Sequence, residues 1–339
     1  MTSRTPPASS VREGTLIKGF RVLRCIGTGS MGEVYEAQNE ATGRRVAIKL
    51  LRDGAEEALN ASRRLLEEAS AVNAIRHPGI VEVFDVGLLG DRRPFLVMEL
   101  LEGQSLSARL KQGVIPVPEA LVLLEGILAA LEAAHRSGVI HRDLKPSNVF
   151  LVEGPTRVKL LDFGVARREG RTELLTGPAM AVGSMGFMAP EQLLGNAVAS
   201  SDLYAVGCLA FLLFTGKPVF PLKNIPDNAR AHMMEPPPKL RALRPDAPAA
   251  LEVFVNELLA KKPEARPASA TLALARLRSL RGPGPQTGTH AQERRTELVA
   301  AFVPSSERAT NPQGGAPSTA RTTAVEAHQL GPDSTLIDS

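Results

Sequence analysis

With 339 residues, 43% hydrophobic and 22% charged, the chain is long enough for two packed lobes, or one domain with an extension, around a sizeable core. Aromatic residues make up 4% and tryptophan is absent, so that core must be mostly aliphatic, and a formal charge of +4 is too small for this length to mark a nucleic-acid or membrane partner. Cys25 and Cys208 stand far apart inside apolar runs, the pattern of buried thiols in a reducing compartment rather than of a disulfide or metal site. The opening MTSRTPPASSVREG has no apolar signal-peptide core, and the longest greasy run, Leu203 to Phe214, is too short to span a bilayer, so a cytoplasmic location is expected.

From Thr15 to Leu51 the pattern is strand-like: FRVLRCIG, a glycine-rich break, EVYEAQ, an ATGRR turn and VAIKLL. Glu56 to Ile75 reads as a helix with an apolar stripe through Ala58, Ala61, Leu65, Ala69, Val72 and Ile75. Glu67 falls opposite that stripe, where a carboxylate costs nothing. Glu68 falls on its edge, and a glutamate facing a core requires a cation from elsewhere in the chain. Pro78 ends the helix, and IVEVFDVGLL and RPFLVMELLEG add two strands to a small, mostly β unit.

After about residue 103 the character turns helical. Glu119 to His135 carries Leu121, Leu124, Leu128 and Leu131 at helical spacing, with Gly138 placed to cap its end. Leu203 to Phe214 is apolar on every side and predicts a central buried helix, and Leu251 to Ala260 and Ala268 to Leu280 read as terminal helices. Beyond RGPGPQTG the composition shifts to Ser, Thr, Pro, Gly and Ala without periodicity, which predicts a disordered tail whose one apolar island is ELVAAFVP.

GTGSMGEV, Gly27 to Val34, contains GxGxxG, a motif shared by two chemistries. A dinucleotide-binding fold would follow it with a crossover helix and an acidic residue about twenty positions on, where Asp53 falls. The dozen residues after Gly32 include Val34, Tyr35 and the turn signal Thr42-Gly43, which favours a hairpin folding over a nucleotide's phosphates. Lys49 interrupts the apolar VAIKLL. It either points to solvent or forms the ion pair that Glu68 requires.

VIHRDLKPSNVFL, VKLLDFG and GFMAPE, in this order, resemble the signature set of the eukaryotic-type (Hanks-type) serine/threonine protein kinases, a family with many bacterial members, over about Gly14 to Leu280. The resemblance implies an α+β bilobal kinase fold, with a β-rich N-lobe carrying one long helix over about 14–100 and a mostly helical C-lobe over about 103–280. Residues 1–13 and 281–339 are then disordered flanks. It implies a transferase that moves the γ-phosphoryl group of ATP to Ser/Thr hydroxyls of protein substrates, using Mg²⁺ or alternatively Mn²⁺.

On that resemblance Gly27, Thr28, Gly29, Ser30, Met31 and Gly32 form the loop over the phosphates, with Ile26, Val34 and Ala47 around the adenine. Lys49 holds the α and β phosphates and is oriented by Glu68; Met98 is the gatekeeper, and the backbones of Glu99 and Leu101 face the adenine edge. Asp143 is the catalytic aspartate, Lys145 steadies the transferring phosphate, and Asn148 and Asp162 bind the metal. His141 is a packing residue, Asp202 ties the buried helix to the catalytic loop, and Glu191 and Arg266 form a structural ion pair. Arg142 beside Asp143 implies control by activation-segment phosphorylation, with Thr172 and Thr176 as candidate autophosphorylation sites. Ser184 and Phe187 depart from the family's usual threonine and tyrosine. Hydroxyl-rich tail segments such as ATNP and STARTTAVEA suggest a phosphothreonine-reading partner. The competing readings are an ATP-binding pseudokinase scaffold, disfavoured by the intact Lys49, Asp143, Asn148 and Asp162, and a nicotinamide-dependent oxidoreductase, which explains nothing after residue 140.

Overall fold

The computed structural model describes residues 11–29, 32–51, 74–152, 157–163, 182–221 and 224–280, all within one compact unit. The candidate phosphosites Thr172 and Thr176, the loop residues Ser30 and Met31, Glu68 with most of the helix expected over Glu56 to Ile75, and the tail lie outside the described residues.

The first lobe is an antiparallel sheet. Its strands are β1 (Leu16–Ile17), β2 (Phe20–Gly29), β3 (Gly32–Asn39), β4 (Arg45–Leu51), β5 (Val83–Leu88) and β6 (Pro94–Glu99), in the order β1-β2-β3-β4-β6-β5. β2 and β3 pair directly, closing at Gly29 opposite Gly32, so the glycine-rich segment is a hairpin and the dinucleotide-binding crossover is ruled out. Gly32 has φ +148°, and a Cβ there would run into the Leu50 carbonyl of the neighbouring strand. Tyr35, Ala37, Val46, Ile48, Phe95 and Val97 form this lobe's core.

Cys25 corrects the expectation of two buried thiols: it is exposed, whereas Cys208 is buried. Register shifts between Val22 and Arg24 and between Cys25 and Gly27 break the alternation of β2, leaving Arg24, Cys25 and Ile26 consecutively exposed. An apolar run interrupted by two irregularities does not map onto one buried face.

The second lobe opens with β7 (Gly103–Ser105), which joins β8 (Val149–Val152) and β9 (Arg157–Leu160) in a small sheet ordered β7-β8-β9. Helix α1 (Leu106–Leu110) starts at Ser105, whose hydroxyl accepts the Ala108 N–H at 3.1 Å. Helix α2 (Val117–Arg136) buries Leu123, Leu124, Ile127, Leu128 and Leu131 along one side. Glu119 in its first turn and His135 and Arg136 in its last oppose the helix dipole. It stops as its sequence predicts: Gly138 takes φ +74° and donates to the His135 carbonyl at 3.0 Å.

After α3 (Val182–Met185) and α4 (Pro190–Leu193), helix α5 (Ala199–Thr215) runs through the middle of the lobe with nearly every residue from Ser201 to Phe214 buried. Helices α6 (Ile225–Met234), α7 (Leu240–Leu243), α8 (Ala249–Leu258) and α9 (Ala270–Leu280) complete it. Gly207 lets α8 approach: a Cβ at this position would sit 2.9 Å from the Leu258 Cβ. No helix among the described residues is long and apolar enough to cross a membrane.

Candidate active site

Two lobes supply the site. From the first comes Lys49, 9% exposed in the middle of β4, so the solvent-pointing alternative is wrong. Its Nζ lies 2.6 Å from Asp162 Oδ1. This carboxylate follows β9 in the second lobe and sits at φ +53°, a conformation costly for a side-chain-bearing residue and held here by its surroundings. The carboxylate partner expected for Lys49, Glu68, lies outside the described residues. Gly27, Thr28 and Gly29 end β2 and Gly32 and Val34 open β3. Ile26 is 41% exposed. Ala47 is buried and pairs with Met98, and Glu99 and Leu101 follow at the passage between the lobes. Glu99 is fixed there from several sides: its N–H donates to the Glu82 carbonyl at 3.0 Å, and its carboxylate accepts the Glu82 N–H at 2.8 Å and pairs with Lys159 of β9.

From the second lobe comes the loop His141 to Asn148, and a buried carboxylate organises it. Asp202 of α5, 1% exposed, accepts the N–H groups of His141 at 2.8 Å and Arg142 at 2.9 Å and meets His135 Nε2 at 2.8 Å. The His141 ring packs 4.6 Å from Phe163, and burial pushes its pKa below the ordinary value, leaving it neutral. Its Nε2 lies 3.0 Å from the Leu161 carbonyl, which can only accept, so Nε2 carries the hydrogen and Nδ1 accepts the Asp143 N–H at 3.3 Å. His141 thus joins the loop to the segment bearing Asp162, in keeping with a packing role.

Asp143 is buried, and its Oδ2 receives Lys145 Nζ at 2.8 Å and Asn148 Nδ2 at 3.1 Å. Lys145 also reaches the Ser184 hydroxyl at 2.7 Å. Asn148, on the short turn Pro146–Asn148, spends its amide hydrogens on Asp143, including the main-chain carbonyl at 2.8 Å. Among the described residues its amide oxygen meets the Ser147 hydroxyl, at 3.4 Å. That oxygen and the Asp162 carboxylate form a hard oxygen donor pair, which suits a small divalent cation that keeps water and substrate oxygens in its other positions. Among the described residues no cluster of three or more His, Cys, Asp or Glu could hold a metal by itself.

Glu191 and Arg266 meet as expected. Arg266 NH1 and NH2 donate to the two Glu191 carboxylate oxygens at 2.6 and 2.8 Å. Burial raises the Glu191 pKa, but hydrogen bonds from Arg266 and Ser201 outweigh it and hold the group below the usual carboxylate range. Two participants have no readable sequence signal. His135 adds a third bond to Asp202, and Gln192, directly after the APE triplet, donates its side-chain amide to the Arg142 carbonyl.

A β-sheet lobe and a helical lobe meeting at a glycine hairpin, two lysines and two aspartates define the two-lobed kinase fold. Residues 20–276 match the model of the protein kinase domain. Serine/threonine-protein kinase Pkn1 of Myxococcus xanthus is 40% identical over 268 residues, covering 78% of this chain and 38% of that protein. PknH of Mycobacterium bovis is 36% identical over 279 residues, covering 81% of this chain and 46% of that protein. The solved kinase domain of Mycobacterium tuberculosis PknI aligns with a TM-score of 0.65 and 28% identity, over 80% of this chain and 100% of that one. The chain belongs to the protein kinase domain family. It spans less than half the length of the Myxococcus and M. bovis relatives.

Proposed function

We propose that this chain is a serine/threonine protein kinase that transfers the γ-phosphoryl group of ATP to protein hydroxyls, with residues 14–280 as the kinase domain. The observation that carries this reading is the convergence of Asp143, Lys145 and Asn148 with Lys49 and Asp162 across the interlobe cleft. Every charged group of the chemistry is present, which also argues against a pseudokinase scaffold. Asp143 receives the proton of the attacking hydroxyl while the hydroxyl oxygen bonds to the γ-phosphorus and the bond to the β-phosphate oxygen breaks, releasing ADP. Lys145, held between Asp143 and Ser184, keeps a positive charge beside the phosphoryl group in flight. Lys49 binds the α and β phosphates. Asn148 and Asp162 would hold Mg²⁺, which when bound would neutralise phosphate charge.

Autophosphorylation at Thr172 or Thr176, tail phosphosites read by a phosphothreonine-binding partner, and a cytoplasmic location complete the reading. Incubation with labelled ATP and Mg²⁺ tests it: the native chain incorporates phosphate, whereas Asp143→Asn and Lys49→Met lose at least 100-fold, about 2.7 kcal/mol of transition-state stabilisation. Incorporation that survives Asp143→Asn would remove the proposed proton acceptor. Mass spectrometry of the product maps the modified hydroxyls.

A further inference from the structure

The peptide unit between Arg142 and Asp143 sets the direction of the Asp143 side chain, and both its polar ends are held. The Asp143 N–H donates to the His141 carbonyl at 2.8 Å, and the Arg142 carbonyl accepts the side-chain amide of Gln192. Arg142 has φ +62°, in the left-handed region that a side-chain-bearing residue enters at a cost of ~1–2 kcal/mol. Its N–H is tied to Asp202 Oδ1 at 2.9 Å, so this strained residue is pinned at one end by α5 and at the other by α4. Gln192 is itself well placed to act as an anchor. It is 8% exposed on α4, and its neighbour Glu191 is clamped by Arg266.

We propose that Gln192 is a positioning residue for phosphoryl transfer: through the Arg142 carbonyl it fixes the main chain from which Asp143 projects, and it couples that aspartate to α4. This inference rests on the kinase reading above. The coupling has a chemical logic, because Lys145 ties Asp143 to Ser184 from the other side. The proton acceptor is therefore held by two independent polar links, one through the Lys145 cation to Ser184 and one through the Arg142 carbonyl to Gln192 of α4. Loss of the Gln192 link frees the Arg142 carbonyl to rotate, and Asp143 loses aim without losing its charge. Loss of the Gln192 donor in this part-buried setting also favours that rotation.

The test compares the native chain with Gln192→Met, which keeps the length and removes the donor, and with Gln192→Glu. For Gln192→Met, kcat falls about tenfold while KM for ATP stays within twofold. Gln192→Glu adds a readout that packing alone does not produce: a protonated carboxyl can donate to the Arg142 carbonyl and an ionised one cannot. With the ordinary glutamate pKa of about 4.3, its kcat relative to the native chain therefore rises at least twofold between pH 8 and pH 5. A native chain that transfers phosphate while Gln192→Met keeps its kcat within twofold overturns the inference and leaves the kinase reading standing. The inference is equally overturned if Gln192→Met fails to fold and the Gln192→Glu ratio is flat with pH. A native chain that transfers no phosphate overturns both.

Discussion

Arg266→Met is expected to be among the most destabilising single changes in the second lobe. The Arg266 side chain is 0% exposed and makes five hydrogen bonds: two to Glu191 and one each to the carbonyls of Ala260, Ser200 and Lys261, at 2.8, 2.9 and 3.0 Å. Methionine fills much of the same space but donates nothing. Three orphaned carbonyls at about 1 kcal/mol each, with a further 1–2 kcal/mol for a Glu191 carboxylate left with Ser201, give a loss of about 4–5 kcal/mol. That is a large share of the ~5–15 kcal/mol that holds a typical domain together. Urea unfolding followed by far-UV circular dichroism measures it: with a slope of about 3 kcal/mol per molar, the midpoint falls by roughly 1.5 M. Adding Glu191→Gln to Arg266→Met removes the stranded charge, so the double variant should be more stable than the sum of the two single losses implies, by about 2 kcal/mol. A midpoint shift under 0.3 M, or strict additivity, would show that this buried pair does not hold the lobe together.

Two further outcomes follow from the packing. His232 of α6 is buried against Phe220 and Tyr204, shares a hydrogen bond with the Tyr204 hydroxyl at 3.0 Å, and has its pKa held down to about 4 by burial and by the nearby Lys261 cation. Below pH 6.5 the unfolded chain binds a proton that the folded chain refuses, so stability falls from pH 6.5 to about pH 4, by up to about 3 kcal/mol. His232→Gln should flatten that part of the urea-midpoint profile, and parallel profiles would contradict it. Gly207→Ala places a methyl group against Leu258 and Leu259 and should cost ~1–3 kcal/mol despite alanine's better helix propensity, partly recovered by Leu259→Ala. Thermal unfolding decides; an unchanged or raised midpoint would mean that α8 simply moves aside.

Regular elements were legible wherever the local pattern admitted one geometry. The leucine spacing of α2, the all-round apolarity of α5 and the Thr42-Gly43 turn each specify one local geometry, and the structure has them. The loop around Asp143 was legible for another reason: its residues are contiguous, so their joint occurrence is visible without knowing the fold. Contacts between distant segments were not. Tyr204, His232 and Lys261 each read as ordinary residues, yet they meet at the end of α6, where Lys261 donates to the carbonyls of Ala231 and His232 at 3.2 and 2.8 Å with its pKa lowered to about 8. Gln192 is similar, because an amide next to a recognised triplet carries no sign of where it donates. Cys25 failed because hydrophobic runs predict burial only while the strand keeps its alternation.

The Lys49 to Asp162 contact has an electrostatic consequence for whatever enters the cleft. Lys49 and Lys145 bring two positive charges, Asp143 and Asp162 two negative ones, so these four groups cancel. A polyphosphate arriving at this neutral set finds no surplus cation among the four, and it must pull Lys49 away from an existing counterion to use it. Such a site discriminates by company kept: a triphosphate that arrives escorted by divalent ions brings its own neutralisation, and a bare one meets the repulsion of two carboxylates.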